Sequence, residues 1–143
     1  MLVVDDDEAL LETTTAVLAE LAGDELVVSK AFSAEEALRL LRVERADVLV
    51  ADFHMPPGMN GVELLRTAYS SGITGPGVLV TGLREQMPKG AARDEAIFAV
   101  VYKPYQPGAL LTAIRDAARF QRMTENASGL IDRIRSRSAR EGG

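Results

Sequence analysis

Five short apolar runs, rich in β-branched residues and separated by longer segments of helical period, constrain this chain more than any other feature. The runs are Leu2-Val3-Val4, Leu26-Val27-Val28, Val48-Leu49-Val50, Val78-Leu79-Val80 and Ile97 to Tyr102. The second is expected to continue to about Phe32, the third to Asp52 and the fourth to Thr81. After the first run, Leu11, Thr14, Leu18 and Leu21 recur on one helical face. Ser33-Ala34-Glu35-Glu36 has capping-box spacing ahead of Leu38 and Leu41. Val62, Leu65 and Ala68 mark a third helix, a weak polar helix is expected over residues 85 to 95, and Pro107 suits the first position of the last helix. Strand then helix, repeated, predicts an α/β fold with a parallel sheet and right-handed crossovers. Continuously apolar strands predict helices on both faces of that sheet.

The 143 residues suit one domain with a single core. No apolar run approaches the roughly 20 residues that span a bilayer, and no basic segment precedes an apolar one at the start. With no cysteine, disulfide frameworks and thiolate metal sites are excluded, which agrees with a reducing, cytoplasmic setting. The formal charge of −5 argues against direct nucleic-acid binding by this segment. Charge is unevenly placed: the first dozen residues are acidic, whereas Arg133, Arg135, Arg137 and Arg140 make the end basic.

Polar residues gather where the strands end. Asp5 and Asp6 follow the first, Asp52 closes the third, Thr81 the fourth, and Lys103 follows the fifth. Open parallel sheets bind ligands outside those ends, where the strand order reverses, and for a 2-1-3-4-5 order that point lies between strands one and three. Two unit charges 4 Å apart repel by about 4 kcal/mol at an effective dielectric near 20, more than one lysine can offset among three carboxylates. A hard divalent cation resolves the remainder. An all-oxygen donor set favours magnesium, with manganese the alternative. Such a site is suited to a phosphoryl group, with Asp52 as nucleophile and Thr81 and Lys103 holding the remaining oxygens. Taken singly, each residue has a plainer reading: an acidic helix start, a turn aspartate, a structural threonine, a strand-ending Lys-Pro. Their joint occurrence at one end of four strands favours the functional one.

These blocks resemble the receiver family of two-component response regulators, over about residues 2 to 120. Val3-Val4-Asp5-Asp6-Asp7 is similar to the family's acidic strand end, and Ala51-Asp52-Phe53-His54-Met55-Pro56 with Gly61 to its phosphoacceptor strand and loop. Val80-Thr81-Gly82 and Lys103-Pro104-Tyr105 resemble the phosphate-sensing and Lys-Pro-aromatic segments. The resemblance implies a three-layer, doubly wound, flavodoxin-like (βα)5 fold with sheet order 2-1-3-4-5. It implies that Asp5 and Asp6 hold the metal, Asp6 the more directly, together with Asp52 and the backbone carbonyl of His54. It implies that Asp52 takes phosphate from a sensor histidine kinase, a phosphotransfer protein or a small donor. It also implies a cis peptide at Lys103-Pro104. The protein would then be a switch that catalyses only its own phosphorylation and dephosphorylation, rather than an enzyme with a free substrate.

Departures from the family pattern fall around the site. The loop Met55-Pro56-Pro57-Gly58-Met59-Asn60-Gly61 is about one residue longer than usual, has Asn60 where Asp is common, and is expected to bulge beside the pocket. Val100 occupies the position of a frequent aromatic switch residue, and Tyr102 shares its face further along the strand. These departures leave a phosphorylation-independent interaction scaffold as the alternative. A dehalogenase-type phosphatase would resemble Asp-x-Asp, and His54 stands at its second Asp position. A phosphate-binding Gly-x-x-x-x-Gly-Lys-Ser/Thr run is absent. His54 is either a tuner of phosphoaspartate hydrolysis or a passive lip residue.

Residues 1–120 read as the receiver and 121–143 as a helical extension with a basic tail, a linker to an absent output domain. Leu110, Leu111, Ile114, Ala117 and Ala118 suit the core, whereas Phe120, Met123, Ala127, Leu130 and Ile134 continue as a second seam. That seam either dimerises or leads to an output domain, or is a solvated helix. Met1 directly against the first strand and the terminal Glu141-Gly142-Gly143 favour a segment of a larger regulator or hybrid kinase over a stand-alone receiver. Leu83, two residues past Thr81, gives no polar help to an attacking water, so self-dephosphorylation is expected to be slow. Loss of phosphoryl label followed over time should be accelerated by Leu83→Glu; fast loss from the wild type with no change in the variant contradicts this.

Overall fold

A computed structural model describes residues 1–82, 90 and 93–141, with side chains described through residue 137. The chain forms β1 (Leu2–Val4), α1 (Glu8–Ala22), a 3-10 turn (Gly23–Glu25), β2 (Ser29–Ala31), α2 (Ala34–Val43), β3 (Leu49–Asp52), α3 (Gly61–Ser70), β4 (Gly77–Thr81), β5 (Ile97–Tyr102) and α4 (Pro107–Glu141). All five strands pair in parallel, in the order β2-β1-β3-β4-β5. The helix expected over 85 to 95 lies largely outside the described residues, as does Leu83.

Two apolar layers sandwich the sheet. On one face α2 and α3 bury Ala37, Leu41, Val62, Leu65 and Ala68 against Leu2, Val4, Leu49, Ala51 and Leu79. On the other, α1 and α4 bury Leu11, Leu18, Leu110 and Ile114 against Val3, Val50, Val78 and Val80. Alternate strand residues therefore face opposite layers, which is why the runs are apolar throughout.

Two expectations need correction. Leu26-Val27-Val28 is not a strand; β2 begins at Ser29. β2 is an edge strand whose only partner is β1, and the register Leu2↔Ser29 starts where β1 starts. The three residues before it form a connector in which Leu26 and Val28 pack on the core while Val27 is 80% exposed. The buried stripe of α1 is Leu11, Thr15, Leu18 and Ala22, not Leu11, Thr14, Leu18 and Leu21. Spacings of 4, 3 and 4 keep that stripe on one side of the helix. Thr15 enters it because its hydroxyl donates to the Leu11 carbonyl at 2.8 Å, while Leu21 stays half exposed.

Caps set the helix starts as local chemistry dictates. Asp7 accepts from the Leu10 N–H at 3.0 Å, and Ser33 from the Glu36 N–H at 3.1 Å. Asn60 forms a full capping box with Glu63 at 2.9 and 3.3 Å. The turn into β5 is closed by Asp94, which accepts from the Ala96 N–H at 2.9 Å and pairs with Arg66. Those contacts, the Ala96 bond foremost, hold the Asp94 carboxyl below its ordinary value.

The loop after β3 folds back on itself and turns toward α2 rather than bulging beside the pocket. The Gly61 N–H donates to the Phe53 carbonyl at 2.9 Å, Met55 is buried, and Gly58 lies against Glu35 of α2. Peptides Pro56-Pro57 and Lys103-Pro104 are cis, the second as the sequence predicted. A Cβ at Gly61 would sit 2.3 Å from the Asp52 carbonyl oxygen and 2.9 Å from Leu79 Cδ1. Gly61→Ala should therefore cost roughly 1–3 kcal/mol in denaturant unfolding. Gly129→Ala, at a helical position with open space around it, should cost nothing.

Candidate functional site

The register of the strands assembles the site. Val4 pairs with Ala51, so the residues that follow, Asp5 and Asp52, emerge side by side at the carboxyl ends of β1 and β3. Asp52 pairs with Val80, and Thr81 with Tyr102, which brings Thr81 and Lys103 to the same end. The Lys103 N–H donates to the Thr81 carbonyl at 2.8 Å and the Phe53 N–H to that of Val80 at 2.8 Å, extending the ladder to the rim.

One carboxylate oxygen from each of Asp5, Asp6 and Asp52 falls within 4.8 Å of the other two. Lys103 Nζ lies 2.8 Å from Asp52 Oδ1. These residues line an open cleft of about 320 Å³ together with Asp7, Leu10, His54, Thr81 and Gly82. Thus Asp5, Asp6, Asp52, His54, Thr81 and Lys103, all singled out from sequence, meet in one place. Thr81 is almost fully buried at the floor, while His54 stands exposed on the rim. Of the described residues of the loop after β3, only His54 borders the cleft.

The electrostatics follow from crowding. Asp5 is 9% exposed, and burial, joined by the charges of Asp52 and Asp6, raises its pKa to about 6. A hydrogen bond from the Asp7 N–H at 3.0 Å and the charge of Lys103 pull the other way without prevailing. For Lys103 burial disfavours the ammonium, yet the hydrogen bond and charge of Asp52, with Asp5 and Tyr105 beyond, lift its pKa above the ordinary lysine value. The pocket therefore carries more negative charge than its lysine offsets. Three carboxylate oxygens gathered in an under-neutralised cleft fit a hard divalent cation.

Sequence reasoning named Tyr105 only within the Lys-Pro-aromatic block, with no place at the site, and did not single out Leu10. Tyr105 lines the small cavity beneath Asp5, Asp52 and Lys103 and packs on the α1–α4 layer. Its place directly after Lys-Pro was the available signal. Leu10, one turn into α1, borders the cleft with more than a third of its surface exposed. Nothing in an amphipathic pattern distinguishes it from other outward apolar residues. Of the acidic run, Asp7 takes the plain capping role and Asp5 and Asp6 the site.

Comparison with known proteins agrees with the geometry. The family model for the response regulator receiver domain matches residues 1–115. The chain belongs to that family. The DNA-binding response regulator MtrA of Mycolicibacterium smegmatis is 30% identical over 132 residues, covering 92% of this chain and 54% of that protein. This receiver thus spans about half the length of the curated relatives it matches first. The CheY-like receiver domain protein from Methanospirillum hungatei superposes with a TM-score of 0.73 at 30% identity, covering 86% of this chain and 95% of that one. The signal receiver domain of an HD domain-containing protein from Pseudomonas fluorescens gives 0.76 at 27% identity, with 87% and 90% covered. The receiver is a two-component signalling domain with the flavodoxin-like sheet order, and no described helix is long and apolar enough to cross a membrane.

The charge excess has a thermodynamic signature. An acid whose folded pKa is raised contributes stability that is complete below its unfolded value and is lost as pH rises through the folded one. With divalent cations chelated, the receiver should lose stability between pH 3.8 and about 6 through Asp5. Asp5→Asn, which keeps an acceptor for the Asp7 N–H, should remove that slope and add on the order of 2–3 kcal/mol at pH 7. Denaturant unfolding in chelator from pH 4 to 8 measures both; equal slopes in the two proteins contradict the assignment.

Proposed function

We propose that this receiver is a phosphoacceptor switch in which Asp52 takes a phosphoryl group and the change in the pocket alters protein interactions. The observation that carries the reading is the convergence of Asp5, Asp6 and Asp52 with the Lys103 ammonium 2.8 Å from Asp52. An Asp52 carboxylate oxygen attacks phosphorus, the bond from phosphorus to the donor nitrogen or oxygen breaks, and an acyl phosphate results. Lys103, already charged and hydrogen-bonded to Asp52, follows the negative charge onto the phosphoryl oxygens. Thr81, at the end of β4, holds another of those oxygens. Asp5 and Asp6, with Asp52 and the His54 carbonyl, would bind magnesium, or manganese in its place, which neutralises the carboxylates and the incoming phosphate. The bond made and broken is the domain's own, so it acts as a switch and not as an enzyme with a free substrate.

The donors implied are a cytoplasmic sensor histidine kinase or phosphotransfer protein. Residues 1–120 form the switch unit, and 121–143 comprise a helical extension and basic tail with a second copy of the chain or an output domain as the target. The DNA-binding role in the name of the MtrA relative belongs to that longer protein, and the net charge of −5 argues against direct nucleic-acid binding by this segment.

Incubation with magnesium and acetyl phosphate, acid quench and peptide mass spectrometry should place one phosphate on the Asp52 peptide. Asp52→Asn or omission of the divalent cation should abolish it, and Lys103→Ala should slow it by on the order of 100-fold. A folded wild type that stays unmodified and binds no magnesium would make the domain a phosphorylation-independent scaffold instead.

A further inference from the structure

α4 runs on well past its last buried residue, Ala118, and its described apolar residues beyond that point are exposed. Phe120, Met123, Ala127, Leu130 and Ile134 follow one another at spacings of 3, 4, 3 and 4. That is a heptad seam with Phe120, Ala127 and Ile134 at the a positions and Met123 and Leu130 at d. It is bounded by charge: the preceding d position is Asp116 and the following one Arg137. We infer that a second copy of this chain covers the seam, forming a parallel, in-register, two-stranded coiled coil over residues 120–134.

Orientation follows from the charges around the seam. In the parallel arrangement each core residue meets its own counterpart, so all five layers are apolar. The flanking g-to-e contacts are then Arg119 with Thr124 and Asn126 with Ile131, neither a like-charge pair. An antiparallel partner must set a against d. One such register places Ile134 opposite Asp116 and Arg119 opposite Arg133; the next places Phe120 opposite Arg137. Each buries a charge against an apolar residue, a cost the parallel form avoids. Strand number follows from shape: Leu130 at d and β-branched Ile134 at a favour two helices over three.

The seam is also anchored. Phe120 stacks on Phe98 of β5 with ring centroids 5.5 Å apart, and Glu125, on the outer face of the coil, pairs with Arg45 at 3.6 Å. These contacts fix which side of α4 the globule occupies and leave Met123, 63% exposed, facing away from it. Only two heptads take part, so association is a concentration-dependent equilibrium. The inference rests on α4 alone and stands whether or not Asp52 is phosphorylated.

Sedimentation of the full chain from micromolar to millimolar concentration should show a monomer–dimer equilibrium. Leu130→Asp, beyond the globule, should weaken it at least ~10-fold with the thermal midpoint of the domain retained. Because the chain has no native cysteine, Met123→Cys and Leu130→Cys can be oxidised separately without background. Each should form a disulfide dimer on its own. A monomer at every concentration overturns the inference, and so does cross-linking that instead needs Ala127→Cys mixed with Met123→Cys or with Leu130→Cys, which marks an antiparallel pair. A trimer in sedimentation overturns the strand number.

Discussion

The pairing of β1 with β3 is the constraint on which the rest of the molecule depends. It joins segments far apart in the chain through three residue pairs, Leu2 with Leu49, Val3 with Val50 and Val4 with Ala51. A slip of one residue would turn every side chain of β1 to the opposite layer, exchanging the partners of Val3 for those of Leu2 and Val4. Because Leu2, Val3 and Val4 are all apolar, the cost of that slip lies at their end, where Asp5 would be drawn into the apolar layer in place of Val4. The same register decides that Asp5 follows beside Asp52. The chemistry of the cleft is therefore a consequence of how apolar residues pack within about 10 Å of it, further down the same two strands. No polar contact within the cleft itself would be strong enough to impose it.

Packing of this kind lets the fold hold an arrangement that electrostatics alone would disperse. Asp5 is nearly buried beside two further carboxylates, and its proton affinity is raised because the ionised form is poorly solvated there. Burial disfavours the Lys103 ammonium as well, yet the carboxylates of Asp52 and Asp5 hold it charged. Buried aliphatic residues on both faces of the sheet supply the stability that offsets this local cost, each side chain contributing roughly 1.5–3 kcal/mol. The three carboxylates thus keep an excess of negative charge that one lysine does not offset, the condition under which a bound cation would stabilise the cleft most.

Much of this was legible in the sequence, for identifiable reasons. β3, β4 and β5 are bounded by a polar residue, a Gly-Pro-Gly turn or a Lys-Pro, so their ends and the residues at the cleft could be read directly. β2 could not, because Leu26-Val27-Val28 is as apolar as any strand and only the shortness of its partner β1 shows that pairing starts at Ser29. The stripe of α1 was misread because Thr14 and Thr15 are indistinguishable by hydropathy, and the choice between them is made by helix rotation against the sheet. Asn60 looked like a lost acidic residue of the loop. The structure shows it as the capping residue that starts α3 with Glu63, a role that Asn fills as well as Asp. The longer loop, expected beside the pocket, instead turns toward α2, where Gly58 permits the approach of Glu35. Spacing reveals the extra residue; its direction depends on contacts from another element.

Val100 raises the question of how a change in the cleft would be felt elsewhere. It packs into the α2–α3 layer as an ordinary core residue, and Tyr102 stands in register beside Thr81 at the end of the strand. β5 nonetheless joins two distinct places. Lys103, at its carboxyl end, holds Asp52, while Phe98, near its start, holds Phe120 where α4 leaves the globule. In the pairing with β4, Ile97 lies opposite Gly77 and Ala99 opposite Val78, so the register skips Phe98, whose ring packs on the α1–α4 layer. One strand thus carries a charged contact to Asp52 and an aromatic contact to the extended helix. Coupling between such places needs an element with two arrangements that both contacts bias. β5 is the element that touches both, through the side chains of two residues only five apart, and a shift along or about its axis would alter the Lys103–Asp52 and Phe98–Phe120 contacts together.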